Sequence, residues 1–205
     1  MEKIKQLIED YNTTSDEIFG SDYNTILYNL HETDESLAQF ESLVGMQFPA
    51  ELKAFYKTFG GLTNQDNNES YCFEIFSPSQ HFEFIKNGSK DNNYGIIDIF
   101  LYSWGYDRYE FEDETLITPE DIKTLNQQYK CFGWYRTDTI LESAYYLYFD
   151  EKGNFGVVFY DQDLFGKLQQ ELKKMLAGKA AKYTLEHLLT DALAETKRAM
   201  IEWNE

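Results

Sequence analysis

The segment that decides the fold lies early in the chain and reads Phe40-Glu41-Ser42-Leu43-Val44-Gly45-Met46-Gln47-Phe48-Pro49-Ala50-Glu51-Leu52-Lys53-Ala54-Phe55-Tyr56. Thr33 or Asp34 can cap a helix whose apolar residues recur at helical spacing, and Gly45 ends that helix. Pro49 fits the first turn of a second helix, because that turn needs no N–H group from it. The segment therefore predicts two short helices joined by a tight step, and Gly60-Gly61 ends the second.

A second segment predicts a β-hairpin. Two aromatic and β-branched runs, residues 145–149 and 155–160, flank the turn Asp150-Glu151-Lys152-Gly153-Asn154. Gly153 supplies the positive φ that this turn requires. Further strands are expected over three segments, Tyr71–Phe76, Ile96–Leu101 and Lys130–Arg136.

Helical patterns stand at both ends of the chain. Apolar residues recur at helical spacing from Lys3 to Tyr11, and a polar loop is expected to follow up to about Asn24. After the hairpin come a leucine stripe and a last helix from about Thr184 to Trp203. Helices, then strands, then helices favour an α+β fold, with a central mixed or antiparallel sheet flanked by helices and an additional C-terminal helix.

These segments, in this order, resemble the SUKH superfamily, whose members include a yeast regulator of cell-wall assembly and many bacterial immunity proteins. The resemblance rests on Glu41, the apolar–Gly and apolar–Pro steps after it, the Gly60-Gly61 stop and the hairpin. It covers about residues 33–62 and 130–177, and residues 63–129 are not matched. The resemblance implies a single domain over residues 1–205, with a core at about 33–177 and a C-terminal helical extension at 183–205. It also implies a binding role without chemistry.

The charge of the chain restricts its partners. The sequence has 36 Asp and Glu against 18 Lys and Arg, a formal net charge of −18, yet 42% of its residues are hydrophobic. Such a chain can fold, repels nucleic acid and anionic membranes, and attracts basic proteins. It has neither a membrane-length apolar run nor a signal-peptide pattern, so we expect a cytoplasmic protein. Cys72 and Cys131 lie far apart, and two buried thiols are favoured over a disulfide.

The segment from Ser103 to Glu114 is the predicted partner surface, because aromatic anchors alternate there with carboxylates that can pair with Lys and Arg. Its predicted contact residues are Trp104, Tyr106, Asp107, Tyr109, Glu110, Glu112, Asp113 and Glu114. The alternative is a set of buried aromatic rings with a solvated acidic face. Further acids could extend the negative field: Asp16, Glu17, Asp22, Glu32, Asp34 and Glu35.

No pattern of catalytic or metal-binding residues emerges. The three histidines lack a His or Cys neighbour at metal-ligand spacing, and the Asp/Asn-rich loops lack the ligand ladder of a calcium site. No nucleophile elbow or phosphate-cradling glycine loop occurs. We therefore expect no catalytic residue, no cofactor and no metal.

The predicted function is that of an immunity protein, which occludes a cognate and basic, nuclease-type toxin in a stoichiometric complex. Two alternatives stay open: a protein-binding scaffold or regulator of the same fold, and a hydrolase that uses paired carboxylates. Neither nucleic acid nor membrane is expected as a partner. A monomer is expected, and a homodimer through the C-terminal stripe is the alternative.

Overall fold

The structure, a computed structural model, describes residues 1–20, 23–64, 73–79, 95–99, 117–137, 143–161, 164–202 and 204. Helices in these ranges are α1 Glu2–Phe19, α2 Asp34–Val44, α3 Ala50–Phe59, α4 Pro119–Gln128, α5 Phe165–Leu176 and α6 Leu185–Glu202. Strands in these ranges are β1 Ile26–Tyr28, β2 Leu62–Asn64, β3 Phe73–Ile75, β4 Tyr129–Tyr135, β5 Ser143–Asp150 and β6 Phe155–Asp161. None of the described helices is both long enough and apolar enough to span a bilayer.

The described strands form one antiparallel sheet in which each strand pairs with its neighbours in the sequence, from β1 at one edge to β6 at the other. The strand order is that of a meander, although the connection from β1 to β2 contains α2 and α3 and the connection from β3 to β4 contains α4. The predicted α+β class and the additional C-terminal helix are therefore confirmed. The strands predicted over Tyr71–Phe76 and Lys130–Arg136 are also confirmed within the described residues, as β3 and β4.

The predicted hairpin joins β5 to β6. Gly153 has φ 78° in its turn, in the left-handed region that favours glycine. The Asp150 carboxylate accepts hydrogen bonds from the backbone N–H groups of Lys152 at 2.9 Å and Asn154 at 2.8 Å. An Asp at the start of the turn thus fixes the loop through its own side chain.

A row of aromatic rings crosses the sheet from β4 to β6. Tyr135 stacks on Tyr145 with ring centroids 4.7 Å apart, and Tyr145 lies 4.7 Å from Phe159. Each such pair contributes about 0.5–1.5 kcal/mol beyond the area it buries. The Tyr135 hydroxyl donates a hydrogen bond to Glu195 Oε2 at 2.8 Å, which ties α6 to the sheet.

The first and last described helices pack side by side. Lys3 pairs with Glu186 at 3.5 Å and Asp10 with Lys197 at 2.6 Å, so α1 and α6 run in the same direction. The apolar stripe of α6 is buried within the chain, as docking on its own core predicts. Its buried residues are Leu185, Leu188, Leu189, Ala192, Leu193, Thr196, Ala199 and Met200.

The N-terminal helix is longer than predicted, because residues expected in a polar loop continue α1 to Phe19. The hydroxyls of Thr13 and Thr14 donate hydrogen bonds to carbonyl oxygens four residues earlier, at 2.9 and 3.0 Å. The buried Ser15 hydroxyl donates to the Tyr23 carbonyl oxygen at 2.7 Å. These hydroxyls are satisfied inside or beside the helix, so a polar composition does not end it.

The middle of the chain differs from the prediction in two ways. Residues 96–99 form a helical turn and not a strand, because Asn126 Oδ1 accepts hydrogen bonds from the N–H groups of Ile97 at 2.8 Å and Asp98 at 3.2 Å. Strands β1 and β2 were not predicted, since three residues are too few to show alternation. Asn64 is the last residue of β2.

Candidate protein-binding surface

The segment around Glu41 is held together from within. Glu41 lies in α2 and is 5% exposed, and its Oε1 accepts a hydrogen bond from the Phe48 backbone N–H at 2.6 Å. The same oxygen lies 2.7 Å from Lys53 Nζ of α3. One carboxylate therefore closes the loop between the two helices and neutralises a lysine beside it. This is a structural task, and it explains why an acid stands at this position.

The two sequence segments that carry the family resemblance touch each other. The Phe48 ring meets the Phe149 ring of β5 edge-on, with centroids 5.4 Å apart at 81°. A Cβ atom on Gly153 would lie 3.7 Å from Pro49, so the hairpin turn sits against the start of α3. The step between α2 and α3 is thus packed onto the hairpin, and the two segments form one structural unit.

The glycine pair after α3 lets two stretches of backbone cross. Gly60 has φ 71°, and a Cβ atom there would overlap the Leu30 carbonyl group. Gly61 has φ 145°, and a Cβ atom on it would come within 2.9 Å of the Ile75 carbonyl oxygen. The chain leading from β1 to α2 therefore lies directly on Gly60, and the end of β3 lies directly on Gly61. Only glycine permits both the backbone conformation and the close approach.

Three apolar side chains of this crossing stretch are exposed. Leu27, Tyr28 and Leu30, which we call the β1 ridge, are 44%, 43% and 81% exposed. The Tyr28 ring stacks on Phe59 of α3 with centroids 5.4 Å apart at 22°. Consecutive residues of a strand face opposite sides of the sheet, so Leu27 and Tyr28 belong to different faces, and the pair Tyr28 and Leu30 is the candidate contact.

The ridge stands at the edge of the sheet, and that edge is only partly closed. The Asn12 side chain of α1 accepts a hydrogen bond from the Ile26 N–H at 2.8 Å and donates one to the Ile26 carbonyl at 3.0 Å. The Asn29 N–H bonds to the Gly61 carbonyl at 3.1 Å on the other side. By the antiparallel alternation, the backbone groups of Tyr28 point away from β2. The edge is therefore covered at Ile26 and presents Tyr28 outward.

The sequence around the ridge carries only negative charge. No Lys or Arg occurs between Gln6 and Leu52, whereas this stretch holds ten Asp and Glu residues. Burial raises the pKa of the Tyr28 hydroxyl, and the nearby Glu9 carboxylate raises it further. The exposed acids of the stretch, within the described residues, are Glu9, Asp10, Asp16, Glu17, Asp34, Glu35 and Glu51. The ridge therefore lies within a run of sequence that has no Lys or Arg, but lysines of other segments pair with three of its acids: Lys197 with Asp10, Lys57 with Asp34 and Lys53 with Glu41.

One acid that was expected to extend this field does not. Glu32 is 5% exposed, and its two oxygens accept hydrogen bonds from the Ser79 N–H at 2.8 Å and the Ser79 hydroxyl at 2.7 Å. A buried carboxylate satisfied in this way has a structural role. Of the other expected acids, Asp22 lies outside the described residues, and the remaining four are exposed.

The predicted contact residues between Trp104 and Glu114 all lie outside the described residues, so their role stays a prediction. Sequence reasoning missed the β1 ridge. Two signals pointed to it: the apolar residues of Leu27-Tyr28-Asn29-Leu30 next to an acidic helix start, and the long stretch without a cation. Neither signal reveals exposure, which depends on the crossing over Gly60.

Two neighbouring titratable side chains of β4, Lys130 and Cys131, are buried. Burial raises the pKa of the Cys131 thiol to about 12, so this thiol stays protonated and inert. Burial lowers the pKa of Lys130 to about 8, and its amine donates a hydrogen bond to the Asn126 carbonyl at 2.8 Å. The cavity beside these two residues holds about 10 Å³, room for about one water molecule. No group of three or more His, Cys, Asp or Glu within the described ranges could hold a metal ion.

An antiparallel meander with helices before, between and after its strands defines an α+β protein. The model of the SMI1/KNR4 family (SUKH-1) matches residues 31–170. The chain therefore belongs to the SMI1/KNR4 family, and the predicted SUKH membership is confirmed. No curated protein matches the chain. The match leaves out α1, α6 and β1 with its ridge, and it ends within α5.

Proposed function

We propose that this chain is an immunity protein, which binds a basic protein toxin in the cytoplasm and blocks it without catalysing a reaction. The observation that carries the proposal is the acidic stretch of sequence from residue 6 to 52, which has ten acids and no Lys or Arg and includes the exposed apolar residues of the β1 ridge. Membership in the SUKH-1 family supports it, since that fold is consistent with an immunity protein. The chain would act as one domain and as a monomer, because the apolar stripe of α6 is used internally.

Charge gives such an inhibitor its advantage. A toxin that cleaves nucleic acid needs a basic cleft for phosphate groups, and carboxylates presented by an inhibitor compete for the same cations. Steering between opposite charges can raise the association rate constant to about 10⁸ M⁻¹s⁻¹ at low salt. Apolar contacts that lose their water on binding then slow dissociation. The combination of acids and exposed apolar side chains therefore suits rapid and lasting capture.

The segment from Ser103 to Glu114 is the proposed source of the carboxylates that meet the toxin. Replacing Asp107, Glu110, Glu112 and Asp113 by Lys is expected to weaken binding and to reduce its dependence on salt. A matched control replaces four other acids, Glu151, Glu171, Asp191 and Glu202, by Lys and gives the same net charge. Titration calorimetry that finds equal affinity and an equal salt slope for the two variants would remove this segment from the interface.

The function itself is tested in the producing cell. Deleting the gene for this chain while keeping the adjacent toxin gene should arrest growth, and an inactivated toxin gene should abolish that arrest. The purified chain should form a 1:1 complex with the toxin domain. Survival of the deletion strain with an active toxin would favour the regulator alternative. Turnover of a substrate by the purified chain would favour a hydrolase.

A further inference from the structure

We infer that the β1 ridge is the apolar anchor of the toxin interface, with Tyr28 and Leu30 entering an apolar recess whose rim carries Lys or Arg. This inference rests on the proposed function and names a contact separate from the segment Ser103–Glu114. It assigns the two contacts different tasks. The carboxylates accelerate encounter, and the ridge holds the complex.

The fold presents the ridge ready for binding. The Leu30 backbone is pressed onto Gly60, while its side chain is 81% exposed. The Tyr28 ring rests on Phe59, which limits its motion in the free protein. A side chain that is already held loses little conformational freedom on binding, so more of the contact energy remains as affinity. Tyrosine is also among the residues most enriched at energetic centres of interfaces.

The negative charge of the chain indicates which kind of partner binds the ridge. The stretch without cations includes every residue of the ridge, and Glu9 acts on the Tyr28 hydroxyl. A second copy would place another such stretch, on a molecule of net charge −18, against the first. Like charges brought together in this way are repulsive. A basic protein surface matches both the apolar side chains and the acids beside them.

The test uses the full chain and the catalytically inactivated toxin domain encoded beside its gene. Tyr28→Ala and Leu30→Ala are each expected to raise the dissociation constant about 10-fold or more, through faster dissociation with an unchanged salt slope. Leu43→Ala and Leu164→Ala are matched controls, because these leucines are 37% and 38% exposed and belong to other elements, α2 and the start of α5. Both controls should stay within about twofold of the wild type, as peripheral contacts do.

If Tyr28→Ala destabilises the fold, Leu30→Ser still tests the anchor. Its side chain is largely exposed and therefore contributes little to stability. Thermal melting by circular dichroism shows which variants are folded. If the toxin binds and the folded ridge variants behave like the controls, the anchor assignment is overturned while the proposed function stands. If the wild-type chain does not bind the toxin domain, the proposed function fails and the ridge assignment fails with it.

A further outcome would also overturn the inference. If the wild-type chain dimerises at micromolar concentration in analytical ultracentrifugation, and Leu30→Ser makes it monomeric, a second copy covers the ridge. The unmixed wild-type chain is therefore expected to sediment as a monomer at low and high salt.

Discussion

Gly45 and Gly60 end consecutive helices in the same left-handed conformation, at φ 72° and 71°, but their surroundings differ. A Cβ atom on Gly45 would meet nothing within 4 Å, whereas one on Gly60 would overlap the Leu30 carbonyl. Gly45 is favoured only by the left-handed conformation of its own backbone. The second also makes room for the chain that carries the β1 ridge. Two equal capping signals in the sequence can therefore have unequal importance in the fold.

The two ion pairs between α2 and α3 show the same contrast. Glu41 is buried and holds both Lys53 and a backbone N–H, while Asp34 is 85% exposed and, among the described residues, pairs with Lys57 at 2.5 Å. Water can replace Lys57 at Asp34 with little loss. Water cannot replace the Glu41 carboxylate, because this group is buried and holds the Phe48 N–H and Lys53 together. In both comparisons, the contact that joins distant parts of the chain matters more.

The largest expected effect is that of Gly60→Ala. The left-handed conformation costs alanine about 1–2 kcal/mol, and the overlap with the Leu30 backbone adds about 1–3 kcal/mol or more. The free energy of unfolding should fall by about 4 kcal/mol in urea denaturation, the sum of these two costs. A loss no greater than that of Gly45→Ala would show that the crossing over Gly60 is not fixed.

The next largest effect is expected for Glu41→Ala. This change leaves the Phe48 N–H without its acceptor and Lys53 without its partner, which should cost about 3 kcal/mol. Asp34→Ala is the control, expected to cost less than about 1 kcal/mol because its ion pair is exposed. Equal destabilisation of the two variants, measured by denaturant titration, would contradict the structural role of Glu41.

A third prediction concerns Lys130, which borders the cavity behind the Glu41 loop. Its pKa is about 8 in the folded protein and 10.5 ordinarily. Between these values the unfolded chain binds more protons, so the contribution of Lys130 to stability rises with pH and is lowest below pH 8. Lys130→Met should therefore stabilise the protein at pH 7 by about 1–2 kcal/mol, after allowance for the lost hydrogen bond to Asn126.

The pH dependence of Lys130→Met separates this cause from simple packing. The advantage of the variant over the wild type should shrink as the pH rises from 8 to 10. The raised pKa of Cys131 acts in the opposite direction above pH 9, but it does so in both proteins and cancels in their difference. An advantage that is constant from pH 7 to 10 would show that the charge of Lys130 is not the cause.

The smallest effect is expected for Gly45→Ala. Its new methyl group meets no atom, so only the left-handed backbone conformation is penalised, by about 1 kcal/mol. Gly45→Asn should restore part of this loss, because asparagine tolerates that conformation better. A loss as large as that of Gly60→Ala would mean that the loop after α2 is packed as tightly as the crossing.

Local pattern was enough to predict much of the fold. The helices around Gly45 and Pro49, the hairpin at Gly153 and the apolar stripe of α6 all have signals that lie within a few residues of one another. Such signals show that apolar residues recur at helical or strand spacing, and the tertiary structure buries those residues here. The family resemblance rested on the same segments, so it was correct for the same reason.

What could not be predicted depends on contacts between distant residues. The turn at 96–99 exists because Asn126 satisfies its N–H groups from another helix. The exposure of Leu30 follows from the crossing over Gly60, and the burial of Glu32 follows from Ser79. Only part of the candidate site could therefore be predicted from the sequence. Its acidic residues could be counted in the sequence, whereas the exposure of its apolar residues depends on the fold.

The pairing of α1 with α6 also has a consequence for biosynthesis. Helix α1 is synthesised well before α6, which supplies its ion-pair partners Glu186 and Lys197. Loops of this length close slowly compared with local structure. Helix α6 therefore has to be synthesised before α1 can pack against it. We expect that a nascent chain stopped before Leu185 leaves α1 accessible to proteases and chaperones.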